Sequence, residues 1–279
     1  MPVTKAERKY LKNKHRGGKS NAKGNRYENY YAVFQIALLL KSYHERLDDV
    51  CLATQLSDTF VDDLLIDIEN SIKTYHQIKD VNKLTWDTGR LIYDFHRQKE
   101  TCLENKETFS LKLVHSNQDN HRKLVEIPKE FSDSTKVEFF PAHNELGQLL
   151  WNYPPFKDAI AEIVADGNNN DDVLYGVAGS ILGAWESVNA DNLISLKQIR
   201  ENISKINPYD ALKIYPTVEL PDNCKKILGD IGVAFRTNGQ ILYWEYGNLS
   251  GKIEWTKGIE QNLLNNIPTN IEELISILS

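Results

Sequence analysis

Between residues 60 and 80 the sequence reads FVDDLLIDIENSIKTYHQIKD, and Asp62, Asp63, Gln77 and Lys79 are the side chains in it best suited to chemistry. Carboxylate and amide oxygens are hard donors of the kind a small divalent cation takes. A lysine beside them can orient water or steady the negative charge that builds on a phosphate. Together these groups point to metal-assisted hydrolysis of a phosphodiester.

The stretch must be shaped to bring them together. Two apolar-rich runs, Phe60–Ile68 and Ile72–Lys79, flank the polar break Glu69-Asn70-Ser71, a pattern that predicts a β-hairpin. Strand side chains alternate between faces, so Gln77 and Lys79 share one face and only one of Asp62 and Asp63 can join them. The plain alternative is an exposed hairpin face carrying a weak surface ion pair.

The pattern D-(x)13-Q-x-K, Asp63…Gln77-Ile78-Lys79, resembles the PD-(D/E)xK nuclease superfamily in its Mrr-like QxK variant. Gly24-Asn25-Arg26-Tyr27-Glu28, leading into YYAVFQIALLL, is similar to the first helix of that fold, whose glutamate completes the site. Val61-Asp62-Asp63 with Tyr75-His76-Gln77-Ile78-Lys79 is most similar to the double-stranded DNA endonuclease domains of CBASS and Lamassu-type anti-phage effectors. The resemblance covers roughly residues 20–120. It implies an α/β (α+β) fold with a restriction-endonuclease-like core, a mixed sheet flanked by helices.

By the same resemblance Asp63, directly ahead of Leu64-Leu65-Ile66, is the ligand in preference to Asp62. Glu28, Asp63, Gln77 and the Ile78 carbonyl would hold Mg²⁺, or Mn²⁺ in its place, and Lys79 would orient or help deprotonate water. The implied substrate is double-stranded DNA. The implied control is by protein partners in a defence complex, an SMC-like ATPase subunit among them, or by homo-oligomerisation. Gln77 brings no charge where the family has an acid, so Glu28 and Ile78 carry more of the cation. That departure keeps open a non-catalytic interaction subunit with a nuclease-like fold, and RNA is not excluded as substrate.

Charge is split along the chain. Residues 1–26 hold nine Lys and Arg against the single Glu7, a net +8, which leaves −14 on the remainder of a chain whose total is −6. A basic arm on an acidic body is expected, residues 1–24, with a short helix at Lys5–Lys12 and a flexible segment after it. Lys12, Lys14, Arg16, Lys19, Lys23 and Arg26 are its candidate nucleic-acid contacts, neutralising phosphates without regard to sequence. The arm could equally be a solvated tail, or could dock on the acidic body or an acidic partner. Gly17-Gly18-Lys19-Ser20 ends like a phosphate-binding loop but lacks the earlier glycine and a preceding strand.

After the arm, residues 25–140 are expected to form the nuclease domain. A helix runs from Arg26 to about Arg46, strands follow at Val50–Gln55 and in the hairpin, and a helix capped by Thr85 ends near Lys99. A strand at Phe109–His115, the loop SNQDNHRK and a strand at Lys136–Phe140 complete it. Residues 141–279 are expected to form a C-terminal module for partner binding or oligomerisation. Its helices are Glu145–Asn152, Phe156–Ala165, Val173–Val188 and Asp191–Ile206, followed by hairpin strands at 232–236, 240–246 and 252–255. Helices at Gln261–Asn265 and Ile271–Leu278 close the chain, the last capped by Thr269 or Asn270. Three scattered cysteines with no CxxC pair, no apolar run long enough to span a bilayer and a basic start lead to an expectation of a cytoplasmic protein.

Overall fold

The computed structural model describes residues 4, 7–11, 22–56, 58–165, 170–188, 192–206, 211–214 and 217–278. Two compact units emerge, Met1–Glu162 with Tyr175–Asn207, and Ile163–Leu174 with Pro208–Ser279.

The first unit is built on helix α1 (Ala22–Ser42), strands β1 (Val50–Ala53), β2 (Leu64–Ile68) and β3 (Ile72–Lys79), helix α2 (Leu91–Glu104), strand β4 (Thr108–His115), helix α3 (Gln118–Leu124) and strand β5 (Thr135–Phe139). Helices α4 (Leu146–Asn152), α5 (Pro154–Ile163) and α6 (Asp171–Ser187) follow, then β6 (Ile194–Ser195) and α7 (Leu196–Ile206). Six strands form one mixed sheet in the order β5-β4-β3-β2-β1-β6. The pairs β1–β2, β2–β3 and β1–β6 are antiparallel, whereas β3–β4 and β4–β5 are parallel. The expected mixed sheet with flanking helices is present.

Glu69 and Asn70 turn the β2–β3 hairpin with φ of 56° and 53°, left-handed values that an asparagine tolerates better than most residues. Leu65 lies opposite Tyr75, and Leu111 and Leu113 lie beside Tyr75 and Gln77, so these side chains share one face. There they join Phe95 and Cys102 of α2 in one apolar cluster. On the opposite face His76 meets the Tyr31 ring of α1, with ring centroids 5.6 Å apart. A parallel pair needs a crossover, and α2 supplies the one between β3 and β4.

Several boundaries depart from the sequence expectation. Thr85 caps no helix: its N–H and hydroxyl go to the Thr88 hydroxyl in a turn, and α2 starts at Leu91, past Gly89 at φ 63°. SNQDNHRK is not a loop but contains α3, capped by Asn117, whose side-chain oxygen accepts the Asp119 N–H. The division is not at residue 140 either. Ile194 and Ser195 return to pair with Leu52 and Cys51, so chain beyond Pro141 supplies a strand of the first unit's own sheet.

The second unit contains α8 (Asp222–Asp230), absent from the sequence reading, and an antiparallel sheet of β7 (Ala234–Asn238), β8 (Ile241–Tyr246) and β9 (Leu249–Glu254). Helices α9 (Lys257–Asn265) and α10 (Ile271–Leu278) close it, the latter capped by Asn270, whose side chain accepts the Glu273 N–H. Leu228, Leu242, Trp244, Trp255, Leu263 and Leu274 form its core. Gly251 lies under the Trp244 indole, where a Cβ would come within 2.5 Å of a ring carbon. Among the described residues no helix is long and apolar enough to cross a membrane.

Candidate functional site

Asp63 stands one residue before β2. Continuing the ladder in which Leu64 faces His76 sets Asp63 opposite Gln77. The structure gathers the predicted residues at this point. Oδ2 of Asp63 accepts the Gln77 side-chain amide, the Ile78 N–H at 2.6 Å and the Lys79 ammonium at 3.1 Å. Asp63 is 8% exposed and Gln77 0%, so this is a buried cluster and not the exposed hairpin face of the plain alternative. Lys79 is its more open member, with a third of its side chain accessible.

Two of the expected ligands approach in an unexpected way. Gln77 turns its amide nitrogen, not its oxygen, toward Asp63, and Ile78 engages Asp63 through its N–H. A carboxylate attracts donors, and three have converged on it. For Gln77 to ligate a cation, its amide would have to turn over. Among the described residues no three His, Cys, Asp or Glu side chains gather closely enough to hold a metal ion. With Gln77 turned over and Ile78 offering its carbonyl, Glu28, Asp63, Gln77 and Ile78 would present only oxygens, a donor chemistry suited to Mg²⁺ with waters completing its shell.

Glu28 reaches the cluster from α1. Its carboxyl is pushed up to about 8, first by burial and next by repulsion from Asp63; Lys79 pulls it down, Asp62 raises it, and a hydrogen bond from Gln55 lowers it. Asp62 is buried like Asp63, and its charge is felt at Glu28 and at Tyr10. His76, on β3 beside Gln77, is held neutral: burial pushes it down to about 3, and its Nδ1–H donates to the Leu64 carbonyl. His115 lies beside Lys79 in the β3–β4 ladder. Its Nδ1–H donates to the Asn117 carbonyl, which leaves Nε2 to accept from His121 Nδ1–H.

The site depends on residues that carried no signal in the sequence. Gln55, at φ 51°, donates its N–H to the Asp62 carbonyl at 2.6 Å and its side chain to Glu28. Gln98 on α2 accepts the Phe60 and Val61 N–H groups. Neither belongs to a short motif. The one sequence clue was Gln98 on the apolar face of α2, spaced from Leu91, Phe95 and Cys102 as a core residue would be.

Part of the arm is docked. Residues 7–11 are helical, and Thr4 with Glu7 forms a capping box: Thr4 Oγ1 accepts the Glu7 N–H, and Glu7 Oε2 accepts the Thr4 N–H. The other Glu7 oxygen accepts from Tyr93 and from Arg97 at 2.8 Å, both on α2, and the carboxyl is held down at about 2, chiefly by the Thr4 N–H. Tyr10 donates to Asp94, and Arg90 stacks over the Tyr10 and Tyr93 rings. The expected short helix at Lys5–Lys12 is therefore present over residues 7–11. Leu11 is buried, and Ala22–Gly24 already belong to α1. Of the expected nucleic-acid contacts, Lys12, Lys14, Arg16 and Lys19 lie outside the described residues, as does the Lys23 side chain. Arg26 is exposed and donates to the Asn144 carbonyl at 3.1 Å.

No protein-family model matches this sequence, and no curated protein does. Solved structures similar to it include the Acinetobacter baumannii Cap4 SAVED/CARF-domain containing receptor with the cyclic trinucleotide 2′3′3′-cAAA. That likeness is 12% identical with a TM-score of 0.42, over 67% of this chain and 46% of that one. The receptor with 3′3′3′-cAAA gives 12% and 0.41, over 66% and 44%. A third structure of the receptor gives 12% and 0.38, over 66% and 46%. The chain spans less than half the length of these receptors.

Proposed function

We propose that the chain is a metal-dependent endonuclease acting on double-stranded DNA, serving as an effector in anti-phage defence. The observation that carries the reading is the convergence of Gln77, Ile78 and Lys79 on one oxygen of Asp63, with the Glu28 carboxyl close enough to be repelled by it. Glu28 and Asp63 would hold the cation, with the Gln77 oxygen and the Ile78 carbonyl as further donors. When bound, it would supply positive charge to the phosphate and make a water more acidic. Asp63 fixes the Lys79 ammonium in place, so that it meets the charge developing on the phosphate oxygens already oriented. Burial of Asp63 and Gln77 keeps bulk water from screening that interaction.

A second reading, a non-catalytic interaction subunit, is favoured by one detail: Asp63 Oδ2 is already taken up by three donors. Plasmid nicking separates the two. The parent chain is assayed with Mg²⁺ and with EDTA, beside Lys79→Ala, and each is run with and without the cyclic trinucleotides named for the Cap4 receptors. Cleavage that needs Mg²⁺ and Lys79 supports the nuclease. Lys79→Ala cutting as well as its parent, or no cleavage under any condition, would sink it. Oligonucleotide RNA in the same assay decides the substrate.

A further inference from the structure

Asp63 lies in a stretch of chain with little support from the sheet. Residues 54–63 connect β1 to β2, and the acid comes before the first β2 residue. Its position must be set by something other than ladder hydrogen bonds. Phe60 and Val61 are fully buried, so their N–H groups need acceptors. Both find the same atom, Gln98 Oε1, at 2.8 and 3.2 Å. From the other side, the Gln55 N–H grips the Asp62 carbonyl.

We infer that Gln98 is a positioning residue for Asp63, its amide oxygen acting as the fixed point from which the acid-bearing stretch hangs. The oxygen is itself held in place. Gln98 is 2% exposed, its amide nitrogen donates to the Cys102 sulfur at 3.4 Å, and α2 is locked by Phe95 packed against the Trp86 and Phe131 rings. One oxygen bridging two consecutive N–H groups fixes the direction in which the chain leaves Val61. Asp63 follows two residues later. A glutamine does this without adding a charge to a stretch that already carries the buried Asp62 and Asp63.

The inference rests on the nuclease reading only for its consequence in catalysis; the positioning is testable without it. In Gln98→Leu the Phe60 and Val61 amides lose their acceptor. The Ile78 amide, which donates to Asp63, is expected to lose at least tenfold in hydrogen-exchange protection while the other β3 amides keep theirs. Unchanged protection at Ile78, with faster exchange only at Phe60 and Val61, overturns the inference. If Gln98→Leu does not fold, Gln98→Met removes the acceptor at similar volume. In the nicking assay Gln98→Leu should lower kcat by roughly 10²-fold, the cost of a small misplacement of a reacting group, with KM for DNA unchanged. A rise in KM for DNA with kcat unchanged contradicts positioning. A parent that cuts nothing removes the nuclease reading and leaves the exchange result to decide Gln98.

Discussion

Strand β3 carries two lysines on one face, six residues apart, and each meets a carboxylate at its own end of the strand. At the near end Lys73 pairs with Glu107 at 2.6 Å, and Tyr75 donates to the second oxygen of the same carboxyl at 3.0 Å. At the far end Lys79 pairs with Asp63 at 3.1 Å. The pairs look alike, but the charge around them differs. Glu107 is held below the usual carboxylate range: burial works against it, and the Lys73 and Tyr75 hydrogen bonds outweigh that burial. Asp67, across the ladder from Lys73, is raised chiefly by burial, and there Lys73's attraction outranks Glu107's repulsion. Around Lys79 the order is reversed. Glu28 feels the repulsion of Asp63 more strongly than the attraction of Lys79. At one end hydrogen bonds hold the paired carboxyl down; at the other a neighbouring carboxyl is held up.

The widest separation between the two ends should come from their lysines. Lys79→Ala is expected to cut nicking by about 10²–10³-fold, the usual cost of a lost charge-stabilising donor. Lys73→Ala should leave nicking untouched and cost about 1–3 kcal/mol in urea unfolding, because the partly buried Glu107 loses its charged donor and keeps the neutral Tyr75 and Cys102. Equal effects of the two variants on nicking would erase the contrast.

Acid titration should separate the ends next, with EDTA present. Glu28 is raised in the folded state, so its stability contribution is full below the unfolded value near 4.5 and is lost as pH climbs toward about 8. Glu28→Gln should therefore gain on its parent over that window. Glu107 is lowered, so its contribution is present above the unfolded value and is lost as pH falls. The advantage of the parent over Glu107→Gln should shrink below about pH 4.5. Unfolding curves from pH 2.5 to 8 in which the parent's advantage over both variants changes with pH in the same direction would contradict the assignment.

The smallest effect is expected at the docked arm. Tyr10→Phe removes the bond to Asp94 and should cost about 1–2 kcal/mol. Glu7, held at about 2, keeps its full contribution above its unfolded value and loses it as pH falls toward 2. Faster amide exchange in residues 7–11, with the Lys73 end unchanged, is the measurement. A disturbance at Lys73 would mean that the two ends are coupled through α2.

How much of this could be read beforehand follows the reach of each interaction. The hairpin lay within a span where strand alternation puts Gln77 and Lys79 on one face with one of Asp62 and Asp63, and resemblance chose Asp63. Glu28 came from resemblance, and no local pattern distinguishes it from a solvated first-turn acid. Gln55 and Gln98 were missed because each secures backbone groups outside its own element, Gln55 the Asp62 carbonyl and Gln98 the Phe60 and Val61 amides, which no short motif records. Helix α3 was missed because seven mostly polar residues offer no apolar stripe; Asn117 and the buried Asn120 and Leu124 secure it instead. Strand β6 could not be assigned from two residues, so the extent of the first unit was misjudged.

The sheet also implies an order of events. Asp63 meets Gln77, Ile78 and Lys79 across 14, 15 and 16 residues, and Gln98 reaches Phe60 across 38. At the other sheet edge, where β6 closes on β1, the Lys197–Asp48 pair spans 149 residues. Short loops close at less entropic cost than long ones. A ribosome-bound chain that has emerged only through β4 thus already holds the hairpin, Gln98 and Glu28, while β1 still presents a bare edge awaiting a strand synthesised much later.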